Sequence, residues 1–413
     1  MKEISIPSRR WYENIERKLT FPDRWEVDYL TSPGFDKPGL SSAEVEDKIG
    51  HPIGGSTLED IAQGKSQAVI VFDDMTRPTP VKSVAPFFLE SLHRAGMNKE
   101  QIRFIWGLGA HGAHDMISAR KKLGDEIVEQ YPIYNHDPFQ NTTWVGRTPS
   151  GVEFWCNREV MACDLKIGVG CIAAHIHVGF SGGAKIILPG VAGIESINQF
   201  HNLYRDSSRT GLGSFDDNIM RAECDAAGDM AGLDFKVDCL VNRRGEITSL
   251  YAGPFRETHA AGVEEGKDHY GIPRATGYDI VVCNAYGKAS ESAVSRHFPR
   301  LTLKPGAVGT AVLIFDAPEG QVPHYTFRSW GTEYGGRHFS PKEKGTLHKW
   351  NIKKLIVFSP YPDRTSLDWF CRFEDATVIK TWSQVVAALE RDYPGEARVA
   401  IIQDGTMQYM KSR

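Results

Sequence analysis

The sequence predicts an α/β protein of two domains with largely parallel sheets. Three observations carry this. The chain has 413 residues, more than one hydrophobic core holds. Short β-branched runs alternate with amphipathic stretches between residues 66 and 175, the pattern of β-α-β units. The alternation starts again near residue 272. The domains are expected at residues 1–271 and 272–395, with a last strand at about 396–413 returning to the first.

In chain order, "SQAVIVFDD" (Ser66–Asp74) is a buried strand running into the loop "DDMTRPTP". Pro80 suits the first turn of a helix, and "VKSVAPFFLESLHRAG" carries that helix to Gly96, a C-cap. "QIRFIWGLGAHG" is a second strand ending in a Gly-His loop. The two strands are therefore parallel, and both loops gather at their C-terminal ends, where α/β proteins place ligands. "HDMISARKKLGDEIVEQY" reads as one amphipathic helix. "DLKIGVGCIAAH" (Asp164–His175) is a third strand. "GIESINQFHNLY" (Gly193–Tyr204) is a helix with Ile194, Ile197 and His201 on one face. "LDFKVDCLVNRRGEITSLYAG" is a hairpin turning at "NRRGE". The second unit begins at "GYDIVVCNAYGKAS" and continues through "AVLIFDA", "KKLIVFS", "ATVIKTW", "SQVVAALERDY" and "RVAIIQDG".

Composition narrows the class. Lys and Arg number 48 against 52 Asp and Glu, a net charge of −4, so nothing favours nucleic acid or an anionic membrane. No window reaches the eighteen or so apolar residues of a membrane span. The start, "MKEISIPSRRWYENIERKL", lacks a signal-peptide run. The seven cysteines are odd in number and form no C-x-x-C, which argues against a disulfide framework or a cysteine zinc site. Reduced thiols in a cytoplasmic protein are expected.

The chemistry concentrates in "HIHVGFSGGAKIILPG" (His175–Gly190), which admits three readings. "GFSGG" fits G-x-S-x-G, but a nucleophile elbow needs a helix directly after the serine, and Pro189 and Gly190 break one. His175 and His177 form H-x-H, whose rings point the same way on a strand, and His201 could add a third nitrogen to a zinc site. The plain alternatives are a polar loop residue for His177 and a hydrogen-bonded core histidine for His201. Lys185 fails as a P-loop lysine, with Ala184 before it and Ile186 after it. Pressed among apolar residues, it could instead be a low-pKa covalent anchor, or simply a surface lysine beside a turn. "GLGAHG" is one residue too tight for a dinucleotide fingerprint and opens no helix.

"DDMTRPTP", "GLGAHGAHD", "HIHVGFSGGAKIILPG" and "NQFHNLY" follow one another between residues 66 and 204. Together they resemble the lactate racemase family, which carries a nickel-pincer nucleotide (pyridinium-3-thioamide-5-thiocarboxylic acid mononucleotide). The resemblance implies two α/β domains, the first binding the cofactor, with the active site in the cleft between them. It implies Lys185 as the covalent tether and His201 as the nickel ligand. His111 and His175 match the two catalytic histidines. Asp74 and Arg77 match a D-x-x-R pair, in which Arg77 clamps the substrate carboxylate and Asp74 orients the guanidinium. Thr76, Ser181, Gly182, Gly183 and Pro189 fall where the cofactor is held, the Gly-rich turn letting backbone approach its ring.

The resemblance weakens in the second domain. Where the family carries a Gln and a Lys three residues later, this chain has Val294 and His297, with Lys288, Arg296 and Arg300 as nearby cations. Lys288 and His297 are expected to contact substrate. The implied activity is racemisation or epimerisation of a 2-hydroxy acid other than lactate, such as a sugar acid or a dicarboxylate. The implied partners are that small acid and the enzymes that build the cofactor, and a homo-oligomer is compatible. A zinc or serine hydrolase, a non-catalytic carrier of the nucleotide, and an oxidoreductase with net hydride transfer are the competing functions.

Overall fold

The computed structural model describes residues 1–205, 208–326, 346–363, 367, 371 and 373–411. Two six-stranded sheets organise it. The first runs, edge to edge, Ile247–Gly253, Phe235–Val241, Leu165–Cys171, Ala68–Asp73, Ile102–Gly107, Ile133–Asn135. Its neighbours are parallel except the hairpin partners 235–241 and 247–253. Every residue of strands 68–73, 165–171 and 235–241 is buried, as expected where helices cover both faces of a parallel sheet. The helices Ile219–Ala231 and Phe255–His269 help cover it, the latter packing on strands 235–241 and 247–253. Phe72 and Trp106 meet with ring centroids 4.3 Å apart in its core.

The second sheet runs Thr377–Ile379, Ile352–Phe358, Gly309–Ile314, Ile280–Asn284, Arg398–Ile402, Glu26–Leu30, all parallel. One expectation is corrected here. The strand Arg398–Ile402 does not return to the first sheet. Its apolar residues pair with Ile280–Asn284 on one side, and the N-terminal strand Glu26–Leu30 closes the other. The N-terminal strand crosses to the second sheet, while past Ile402 the chain end does reach the first unit: Tyr409–Met410 pair with Gly271–Ile272, and the Tyr409 ring packs on Phe180.

The helix expected over 114–131 is two, Met116–Leu123 and Asp125–Gln130. Gly124 separates them at φ +86°, a conformation that a right-handed helix cannot contain. The helix after Pro80 starts as a 3₁₀ turn at Val81–Ser83 and becomes α-helical over Ala85–Arg94. Among the described residues, no helix is long and apolar enough to cross a membrane. The seven cysteines are buried.

Candidate active site

One cavity gathers the loops that leave the C-terminal ends of strands 68–73, 102–107 and 165–171. It is closed by Lys288, Glu291, Val294, Arg296, Val322 and His324 from the loops of the second sheet.

The first loop is built rigid. Asp74 Oδ1 accepts the Thr76 N–H at 2.9 Å and also the Thr76 hydroxyl, and its carbonyl accepts the Arg77 N–H. Lys122, wholly buried, ties this turn to its helix. Its ammonium pairs with Asp73 at 2.7 Å and donates to the carbonyls of Asp74 and Arg77 at 3.0 and 2.8 Å. Asp74 and Arg77 therefore reach the cavity from a fixed frame.

Asp74 reaches Arg77 through Thr76, whose hydroxyl donates to Asp74 Oδ1 and accepts the Nη1–H of Arg77 at 2.7 Å. Asp74 Oδ2 takes the Nδ1–H of His111 at 2.5 Å. The ionic partner of Arg77 is Glu291, 2.5 Å from Nη1, and the other oxygen of Glu291 lies 3.3 Å from His111 Nε2. Two cations and two carboxylates form one buried quartet. Burial works against the charge on His111, but Asp74 and Glu291 outweigh it and hold its pKa up at about 9. Burial works against the charge on Asp74 too, but His111 and then Arg77 outweigh it and push the carboxyl well down.

His175 sits in the opposite environment. Its Nδ1 accepts the backbone N–H of His177 at 3.2 Å, which leaves its proton on Nε2. Burial and then the cations Lys185, Arg77 and Lys288 keep its pKa well below the usual value. One histidine is held charged and the other neutral in one cavity.

Lys185 lies on a single 3₁₀ turn, Gly183–Ile186, after Gly182 at φ +89°. It is half-buried, and among the described residues its Nζ has no hydrogen-bond or ion-pair partner. Burial, and then the Arg77 guanidinium, bring its amine down to about 7. His201, on the helix Ile194–Asn202, lines the same cavity, with its ring 5.7 Å from His177 and 5.5 Å from His324. Burial and its histidine and lysine neighbours keep it neutral.

The structure thus brings Asp74, Arg77, His111, His175, Ser181, Gly182, Lys185, Pro189, His201 and Lys288 to one cavity, with Val294 and Arg296. Thr76 acts behind the wall, on Asp74. Gly183 donates its N–H to Asp238 at 2.7 Å. A Cβ at Gly179 would stand 2.0 Å from the Ser214 carbonyl oxygen, and one at Gly182 2.9 Å from Asp238. These glycines permit a close approach to the protein itself, and Gly182 also lines the cavity. His297 faces elsewhere: its Nδ1 meets the Val294 carbonyl at 3.0 Å and its ring packs on Phe298. Arg300 is exposed, outside the cavity. Sequence reading missed Glu291 and His324. Glu291 is an acid three residues past Lys288 and could have been flagged for that. "QVPHYTF" gave no signal for His324.

The profile of the lactate racemase N-terminal domain matches residues 12–213. The lactate racemase of Thermoanaerobacterium thermosaccharolyticum is 27% identical over 271 residues, 64% of this chain and 62% of that protein, so the match spans about three-fifths of that relative. The lactate racemase of Lactiplantibacillus plantarum is 29% identical over 290 residues, 68% of each. In structure, the lactate racemase apoprotein of T. thermosaccharolyticum superposes over the whole of both chains with a TM-score of 0.74 at 21% identity. A Thermotoga maritima protein of solved structure covers 91% of this chain with a TM-score of 0.66 at 16% identity. Both structural likenesses concern the fold. The four loops read from the sequence fall inside the matched profile, and the chain belongs to the lactate racemase family.

Proposed function

We propose that this chain is a racemase or epimerase of a 2-hydroxy acid that works with a nickel-pincer nucleotide tethered to Lys185. The observation that carries the reading is Lys185 itself: a partnerless amine brought down to about 7, facing the same cavity as the acid–base histidines.

The residues present suit such a group. A neutral amine is the form that makes a covalent bond. His201, neutral, offers an imidazole nitrogen of the kind nickel accepts. Among the described residues no three His, Cys, Asp or Glu side chains are grouped as a metal site. When bound, the group supplies an electron-poor carbon for reversible hydride transfer at C2 of the substrate.

The chain's own residues do the rest. Asp74 fixes the Nδ1–H of His111, so Nε2 is the atom that exchanges a proton with the substrate hydroxyl. His175 holds its proton at Nε2. Inversion at C2 needs proton exchange on either face, and two histidines supply it. Arg77 and Lys288 bring positive charge for the carboxylate. The serine hydrolase reading loses support because the Ser181 hydroxyl donates to the Cys171 carbonyl at 2.9 Å and accepts the Ala173 N–H.

The test is denaturing intact-mass analysis and nickel content on protein co-expressed with the cofactor-building enzymes, with Lys185→Ala beside it. A nucleotide-sized mass increase with near-stoichiometric nickel, both lost in the variant, is expected. An unmodified mass with bound zinc would overturn the reading.

A further inference from the structure

We infer that Glu291 selects 2-hydroxy acids carrying a second hydroxyl on C3, and that Lys288 takes their carboxylate. This rests on the racemase reading and deepens it.

The argument starts from charge. Arg77, His111, Asp74 and Glu291 form a quartet of two cations and two anions. Arg77 is thereby already neutralised. Lys288 is 1% exposed and lines the same cavity, and among the described residues its ammonium makes one hydrogen bond, at 3.5 Å to the Ala174 carbonyl. A buried ammonium so poorly partnered is the place for an incoming carboxylate.

Glu291 is then left as an acceptor. An ionised carboxylate accepts at about four lone-pair sites, and the quartet uses two. Glu291 lines the cavity, so the rest are open to a substrate there. Its segment is pinned: Glu291 N–H donates to the Lys288 carbonyl at 2.8 Å, and Ser292 donates to Gln321 through N–H and hydroxyl at 3.0 and 2.9 Å. Glu291 does not swing away when substrate enters. A substrate that displaces water from it must return a hydrogen bond or leave the carboxylate unsatisfied. A C3 hydroxyl returns one. A C3 methyl does not, and a C3 carboxylate adds a like charge.

Glycerate and lactate differ in that one hydroxyl and make the sharpest pair, with malate as the dicarboxylate. Two readouts are needed: binding of each acid to the full chain by calorimetry, and turnover of cofactor-loaded enzyme by chiral chromatography. Glycerate should exceed lactate about 100-fold in kcat/KM. Glu291→Met should cut that ratio at least about tenfold, whereas Lys288→Gln should weaken both acids alike. Glu291→Gln, which keeps one acceptor oxygen, should fall between and serves if the Met variant does not fold. Equal handling of glycerate and lactate, a preference for malate, or a ratio unmoved by both Glu291 variants would overturn the inference. Loaded enzyme that racemises no 2-hydroxy acid, while calorimetry still shows a Glu291-dependent preference for glycerate, would sink the racemase reading and leave the inference standing.

Discussion

Nδ1 of His111 lies 2.5 Å from Oδ2 of Asp74, and both side chains are buried, 9% and 5% exposed. The contact fixes the tautomer of the histidine and turns Nε2 toward the cavity. It also sets the histidine apart from His175, which faces cations instead. An acid–base pair with opposed environments is what proton exchange in two directions requires.

Replacing Asp74 with Asn should show this in stability. The imidazolium of His111 is held up to about 9, above its free value, so its contribution is present in full below about 6.5 and is lost as pH rises through 9. The stability gap between wild type and Asp74→Asn should therefore shrink from pH 6 to pH 9.5 in urea unfolding. In cofactor-loaded enzyme, the basic limb of the pH–rate profile should move down in the variant. A gap that widens with pH would contradict the pairing.

The Arg77–Glu291 pair is buried on both sides, 11% and 13% exposed. Removing one partner strands the other, so Arg77→Met should cost about 3 kcal/mol. The double variant Arg77→Met with Glu291→Met should recover most of that, because no lone charge remains. A double-mutant cycle by denaturation measures the coupling. Additive losses would mean that the two charges are solvated separately.

Lys185 should react as a neutral amine at a pH where ordinary lysines, near 10.4, are protonated. With limiting acetic anhydride at pH 8, peptide mass mapping should find it among the first lysines modified, its rate falling below pH 7. Arg77→Gln removes a neighbouring positive charge and should move that fall to higher pH. Reactivity that appears only above about pH 9 would show that burial does not depress this amine.

How far the sequence carried this picture depends on chain distance. The strand-loop-helix order between residues 66 and 204 was legible because each motif follows its own strand, and parallel order puts all such loops on one edge. Glu291 was not, because its meaning lies in Arg77, 214 residues away. The same limit hid the place of Arg398–Ile402: an apolar run announces a buried strand, but not which sheet takes it. Gly124 was read as a helical position because periodicity outvoted it, whereas backbone strain decides. The glycines of 179–183 were read toward a ligand because nothing local announces Ser214 or Asp238.

Ser181→Ala separates the racemase from a serine hydrolase. The hydroxyl bridges Cys171 and Ala173, holding the end of strand 165–171 against the turn that carries Lys185. Losing it should cost about 1–2 kcal/mol in thermal or urea unfolding, the scale of a buried hydrogen-bond pair. Racemase turnover of loaded enzyme should survive, since the hydroxyl proton is committed to a backbone carbonyl and takes no part at C2. A hydrolase would lose its nucleophile and all activity on ester substrates with this one change. Hydrolysis in wild type that vanishes in the variant, with no racemisation in either, would move the chemistry from Lys185 to Ser181.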